Sequence, residues 1–193
     1  MPWFARRTCR TRNFHFQIIK SPDKMFLLLG LFVLPLVGQG AYPEDMINFH
    51  WQTAQIRTIG GSIKIVDGNM SLLDFGSNAA EAQMALAIIR QYRLNQQCFV
   101  ARPNPPMEYW LSSGRPPVGP FPGEDSIAFD NTNIRVAYIG GSWKIVEGTS
   151  HSMLDFGANE RAAWQSLWTI WKYDFNHICF VGRPDPSMVY FRK

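Results

Sequence analysis

The sequence predicts an α+β protein made of two copies of one small module, each an antiparallel sheet with one helix packed on a face, in the order β-β-β-β-α-β-β. Three observations carry this. The 193-residue chain repeats itself: Ile59-Gly60-Gly61-Ser62-Ile63-Lys64-Ile65-Val66-Asp67-Gly68 returns as Ile139-Gly140-Gly141-Ser142-Trp143-Lys144-Ile145-Val146-Glu147-Gly148. Leu73-Asp74-Phe75-Gly76 and Cys98-Phe99-Val100 then recur one residue further out of step, as Leu154-Asp155-Phe156-Gly157 and Cys179-Phe180-Val181, so a residue is inserted near Thr149 and Ser150. Within each copy, short apolar stretches are broken by Gly-Gly and acid-Gly pairs, the punctuation of hairpins. One further stretch per copy spaces its apolar residues at i, i+4 and i+7, the signature of a helix with one buried face.

Taken in order, each copy opens with Glu-Asp-x-Ile-x-Phe, at Glu44 to Phe49 and Glu124 to Phe129. Strands are expected at about Gln55 to Ile59, Ser62 to Val66 and Ser71 to Phe75, with turns at Gly60-Gly61 and Asp67-Gly68. Asn78 and Asn159 suit a helix N-cap, and Glu81 stands at the capping-box position. The helix runs to about Tyr92 or Tyr173, its stripe Ala82, Leu86, Ile89 or Ala163, Leu167, Ile170 facing the module's own sheet. A strand holding Cys98 or Cys179, a Pro-rich turn and a last strand complete the unit. These boundaries give a leader over 1–40, a first module over 41–111, a connector over 112–123 and a second module over 124–193. The connector's prolines and glycines favour an extended, semi-stiff segment.

The leader contains the apolar run Met25 to Val37, preceded by Lys20 and Lys24 and followed by Gly38-x-Gly40, a signal-peptide pattern with Met25 as a candidate start. The run is shorter than the roughly 20 residues that span a bilayer. Removing 1–40 takes away 6 of the 19 basic residues and 1 of the 15 acids, leaving 13 against 14. The basic character of the whole chain therefore belongs to the leader, and nucleic-acid binding is not expected.

Comparison of the copies singles out one surface. Where the first helix has Gln83, Ala87 and Arg90, the second has Trp164, Trp168 and Trp171. The scaffold does not require those rings, and together they present about 450–750 Å². The plain expectation is that the first copy or the connector packs over them; otherwise they meet a protein partner, or a sugar or lipid.

Cys98 and Cys179 occupy equivalent positions. They are expected to be small buried hydrophobes, or to join the modules in an oxidising compartment. The turns at Arg102-Pro103 and Arg183-Pro184 are stiff, and each arginine either pairs with a local acid or presents itself to a proteinase. Asn69-Met70-Ser71 is a glycosylation sequon in a turn. Paired acids such as Asp67 with Asp74, or Glu147 with Asp155, are candidates for hydrolase chemistry, which needs carboxylates about 5–10 Å apart. Asp-Phe-Gly without the remaining kinase motifs reads as a strand end, and Gly60-Gly61-Ser62 lacks phosphate-loop spacing. His50, His151 and His177 lack metal-ligand spacing, and no cofactor is implied.

Together, Gly-Gly-Ser-Trp-Lys-Ile-Val-Glu-Gly at 140–148, Leu-Asp-Phe-Gly at 154–157 and Cys-Phe-Val-Gly-Arg-Pro-Asp-Pro at 179–186 resemble a tandem repeat of uncharacterised secreted proteins. The resemblance covers both modules and implies a small extracellular unit without a known activity. That repeat carries Glu-Asp-Cys at its start, and the resemblance implies that this cysteine pairs with the one in Cys-Phe-Val. Here Met46 and Ser126 stand in its place. The expected function is that of a secreted, non-enzymatic binding protein with docked modules and a glycan or protein ligand. A proteinase inhibitor or a hydrolase are the alternatives.

Overall fold

The computed structural model describes residues 44–149 and 151–193. The leader and the first residues of the first module lie outside the described residues. The first copy contributes β1 (Asp45–Asn48), β2 (Gln55–Ile59), β3 (Ser62–Asp67), β4 (Met70–Asp74), α1 (Ala79–Gln91), β5 (Gln96–Val100) and β6 (Met107–Leu111). The second contributes β7 (Asp125–Ala128), β8 (Ile134–Ile139), β9 (Ser142–Glu147), β10 (His151–Asp155), α2 (Glu160–Tyr173), β11 (His177–Val181) and β12 (Met188–Arg192).

The fold is α+β, with four three-stranded antiparallel sheets and two helices among the described residues. The strand orders are β2-β3-β4, β1-β5-β6, β8-β9-β10 and β7-β11-β12. Each copy therefore divides its strands between a meander and a second, separate sheet, where the sequence suggests a single sheet.

Local chemistry explains the elements. Gly60-Gly61 and Gly140-Gly141 all have positive φ, between +60° and +82°, the geometry a two-residue hairpin demands and a side chain resists. In both copies the register of the third and fourth strands slips by one residue, at Leu72 and at Met153. This bulge turns two consecutive residues inward, so Leu72 and Leu73 are both buried. The inserted residue falls instead in the loop between β9 and β10. Asn78 and Asn159 cap their helices, accepting from the N–H of Glu81 at 3.2 Å and of Ala162 at 3.0 Å. Glu81 does not close the expected capping box; its carboxylate accepts from the Asn78 amide and from the Ser187 hydroxyl of the second copy.

That contact belongs to a larger exchange. Each helix buries more than the expected stripe: α1 adds Ala85 and Ile88, and α2 adds the equivalent Ser166 and Thr169. The stripe faces the helix's own meander, while the other flank meets the second sheet of the opposite copy. Thus Cys179, Val181, Met188 and Tyr190 complete the core around α1. Reciprocally, Cys98, Val100, Met107, Tyr109 and Leu111 complete the core around α2. Where the copies meet, Glu44 accepts from the Tyr173 hydroxyl at 2.5 Å, from Tyr109 at 3.3 Å and from Lys172 at 2.8 Å. Glu124 answers with Tyr190 at 2.9 Å and Arg192 at 2.8 Å, and the Tyr190 ring lies 6.1 Å from that of Tyr92. Burial opposes both charges, but these donors outweigh it and hold both carboxyls below the usual range.

The connector is pinned rather than free. Pro117 and Gly119 pair with the backbone of Lys193, the Tyr92 hydroxyl donates to Gly119 O at 2.7 Å, and Phe121 packs on the first core.

Two predictions follow from the exchange. Residues 41–111 or 124–193 expressed alone should lack a cooperative unfolding transition, since each leaves four or five core side chains uncovered at about 1.5–3 kcal/mol apiece; mixing the halves should restore it, as near-UV circular dichroism would register. A Cβ at Gly182, φ +86°, would overlap the Glu81 carboxylate, whereas the equivalent pair in the other half is Ala101 and Ala162. Gly182→Ala should therefore cost about 1–3 kcal/mol, and adding Glu81→Ala should return part of it in a denaturant double-mutant cycle.

Candidate functional site

The outer face of α2 carries the feature that the fold does not explain. Ala163, Leu167 and Ile170 anchor the helix, and one position further round Trp164, Trp168 and Trp171 point outward, 39%, 45% and 43% exposed. Gln83, Ala87 and Arg90 are exposed at the equivalent places on α1. The expectation that the first copy or the connector covers the tryptophans is corrected: the connector runs along the C-terminal residues, and the rings keep about two-fifths of their surface exposed, the rest resting on their own copy and on one another. They leave on the order of 200–300 Å² of aromatic surface in water.

The rings are held in place. The Trp171 indole N–H donates to Asn131 O at 2.9 Å, just before β8, and Trp164 donates to Glu160 at 3.4 Å. Trp168 meets Trp171 edge to face, with centroids 5.3 Å apart. Asn131 is in turn held by Asp174, the left-handed cap of α2. The helix lies over β8 and β9, which carry two more aromatics, Tyr138 and Trp143, 5.2 Å apart. In the first copy these positions are Thr58 and Ile63. The same comparison of copies could have found them; the helix stripe alone does not point to them.

Arg102 and Arg183 are exposed but paired with local acids. Arg102 forms a two-pronged pair with Asp45 and lies 4.6 Å over the Phe99 ring. Arg183 repeats this with Asp125 and Phe180, 4.7 Å away. The opening Glu-Asp and the distant Arg-Pro of each copy thus form one local clamp, in which the Arg102 hydrogen bond holds the Asp45 carboxyl below its ordinary range.

Cys98 and Cys179 are free, buried in different cores, and do not bridge the modules. Burial pushes both thiols up to about 12, which leaves them unreactive. Directly across the strand pairs from them stand Met46 and Ser126, the positions where the resembling repeat carries cysteine.

The acids weighed for hydrolysis all have hydrogen-bond partners within the chain. Asp74 is held by Lys64 at 2.8 Å, by Ser62 and by the Gly76 N–H at 3.0 Å; Asp155 is held identically by Lys144, Ser142 and Gly157. Those partners hold both carboxyls far below the usual range, so neither can store a proton for general-acid work at neutral pH. Asp67 accepts from Thr53 at 2.6 Å and from the His50 N–H at 2.8 Å, while Glu147 accepts from the Asp130 N–H at 2.7 Å. Asn69 is exposed in the β3–β4 turn. Among the described residues no cluster of three His, Cys, Asp or Glu could hold a metal ion, and no helix is long and apolar enough to cross a membrane.

One acid behaves differently. Half-buried Glu108 on β6 accepts from Gln97 Nε2 at 2.9 Å, yet burial pushes its carboxyl up to about 7. A raised acid binds its proton more tightly folded than unfolded, so its contribution is present at low pH and is lost as pH rises from about 4.5 through 7. Glu108→Gln should remove this loss. Relative to wild type, the variant should gain stability steadily across that window in denaturant titrations.

Comparison with known proteins finds no matching family model, no matching curated protein and no matching solved structure.

Proposed function

We propose that the chain is a secreted, non-enzymatic binding protein built from two homologous modules, and that it recognises a glycan or protein ligand through the outer face of α2. The observation that carries this reading is the row of fixed, solvent-facing indoles on one copy where the other has Gln83, Ala87 and Arg90. Such a row is costly to leave partly in water and has no counterpart in the first copy, while aromatic faces are efficient contact surfaces for ligands. The leader pattern, the sequon at Asn69 and the resemblance to secreted tandem repeats support an extracellular setting. Duplication supports homology of the modules, since equivalent residues make equivalent contacts at the acid clamps and helix caps. The engaged state of Arg102 and Arg183 and the depressed carboxyls of Asp74 and Asp155 give the inhibitor and hydrolase readings no comparable support.

The test transplants the first copy's surface. Trp164→Gln, Trp168→Ala and Trp171→Arg together should leave stability within about 1 kcal/mol. The same triple variant should abolish binding detected for the wild type on a glycan array or by capture of extracellular proteins. Wild-type binding that survives in the variant, or a wild type silent on both screens, would overturn the reading.

A further inference from the structure

A second feature is independent of the α2 face. Between the two Pro-rich turns and the second copy's inner strands lies a partly open cavity of about 220 Å³ with a mixed polar and apolar lining. Pro105, Met153, Ile178, Phe180 and Phe191 contribute to its apolar wall, and Glu108 supplies a carboxylate.

The cavity arises from differences between the copies. At the equivalent place in the first copy, Gln97 and Trp110 stand where the second has Ile178 and Phe191: the larger Trp110 ring is fully buried there and Gln97 Nε2 donates to Leu72 O at 3.3 Å. The second copy has a smaller ring and no amide to fill the space, and its Met153 and Leu154 stay partly exposed where Leu72 and Leu73 are buried. The carboxylate is likewise specific, because Val189 occupies the position in the second copy that Glu108 has in the first.

We propose that this cavity binds a small organic ammonium ion whose apolar body is about the size of one aromatic ring. Its size sets the body: an apolar cavity of about 150 Å³ accepts benzene, whereas drug-sized ligands need about 300 Å³ or more. Its chemistry sets the head group. Gln97 Nε2 donates to Oε1 of Glu108 and the Trp110 side chain also favours the ionised carboxyl, but both of these partners are neutral. A carboxylate in apolar surroundings is best satisfied by a cation that donates hydrogen bonds to it. A neutral body of the same shape would fill the walls and leave the charge with neutral partners alone.

The probe is 2-phenylethylamine, titrated into the purified full chain at about pH 8, where Glu108 is ionised, and followed by amide chemical shifts. Saturable binding centred on Glu108, Ile178 and Phe191 is expected, with 2-phenylethanol at least about tenfold weaker. Glu108→Gln should weaken the amine about tenfold or more without weakening the alcohol. Phe191→Trp, which restores the first copy's ring, should exclude both. The proposal fails if the amine shows no saturable binding up to about 10 mM, if the alcohol binds as tightly, or if folded Glu108→Gln binds the amine like wild type. The amine-alcohol comparison needs no variant, and none of these outcomes depends on the α2 tryptophans.

Discussion

The reciprocal covering of the helices governs the architecture. A helix of thirteen or fourteen residues with two apolar flanks cannot satisfy both on one three-stranded meander. Each helix here finds its second surface on the opposite copy, and each copy gives up one face of its β1-β5-β6 or β7-β11-β12 sheet in return. A unit of about 65 residues is marginal by itself, and the exchange removes that weakness by making two small cores into one cooperative structure. It also places both cysteines in apolar interiors, away from each other.

The exchange leaves marks where the copies differ. Glu81, Gly182 and Ser187 form a polar contact at one crossing; the equivalent crossing is the apolar set Ala162, Ala101 and Pro106. Neither set would work if only one member were transplanted, because a carboxylate needs the space that glycine leaves. Divergence across the inner surfaces is therefore paired, whereas divergence on the outer surfaces is free. The tryptophans of α2 and Tyr138 lie where one copy has changed without a forced response from the other.

Much of this was legible in the residues. The repeat, the Gly-Gly turns, the asparagine caps and the i, i+4, i+7 stripe identify each element within a residue or two, because all depend on contacts close in sequence. The separation into two sheets per copy was not legible, since strand pairing beyond a hairpin depends on which partner is nearest in space. Ala85, Ile88, Ser166 and Thr169 held the missing signal: a second small or apolar row on each helix. Small residues such as Ser166 and Thr169 do not declare themselves buried. The outward position of the tryptophans was readable as a difference between copies, but what covers them was not, because the path of the connector is decided by its contacts with Tyr92 and Lys193. The pairing of Arg102 with Asp45 spans 57 positions and becomes visible only when β1 lies beside β5.

Copies that complete each other's cores could in principle do so between two chains, giving entangled dimers of the domain-swapped kind. The anchoring of Pro117 and Gly119 to Lys193, and of Gly119 to Tyr92, bears directly on that choice. It holds the tether against the very surfaces that must come together, so closing onto the same molecule needs no further ordering of the link. The short run of prolines and glycines between the copies thus ties both halves of one chain together: Tyr92 of the first and Lys193 of the second grip the same few residues.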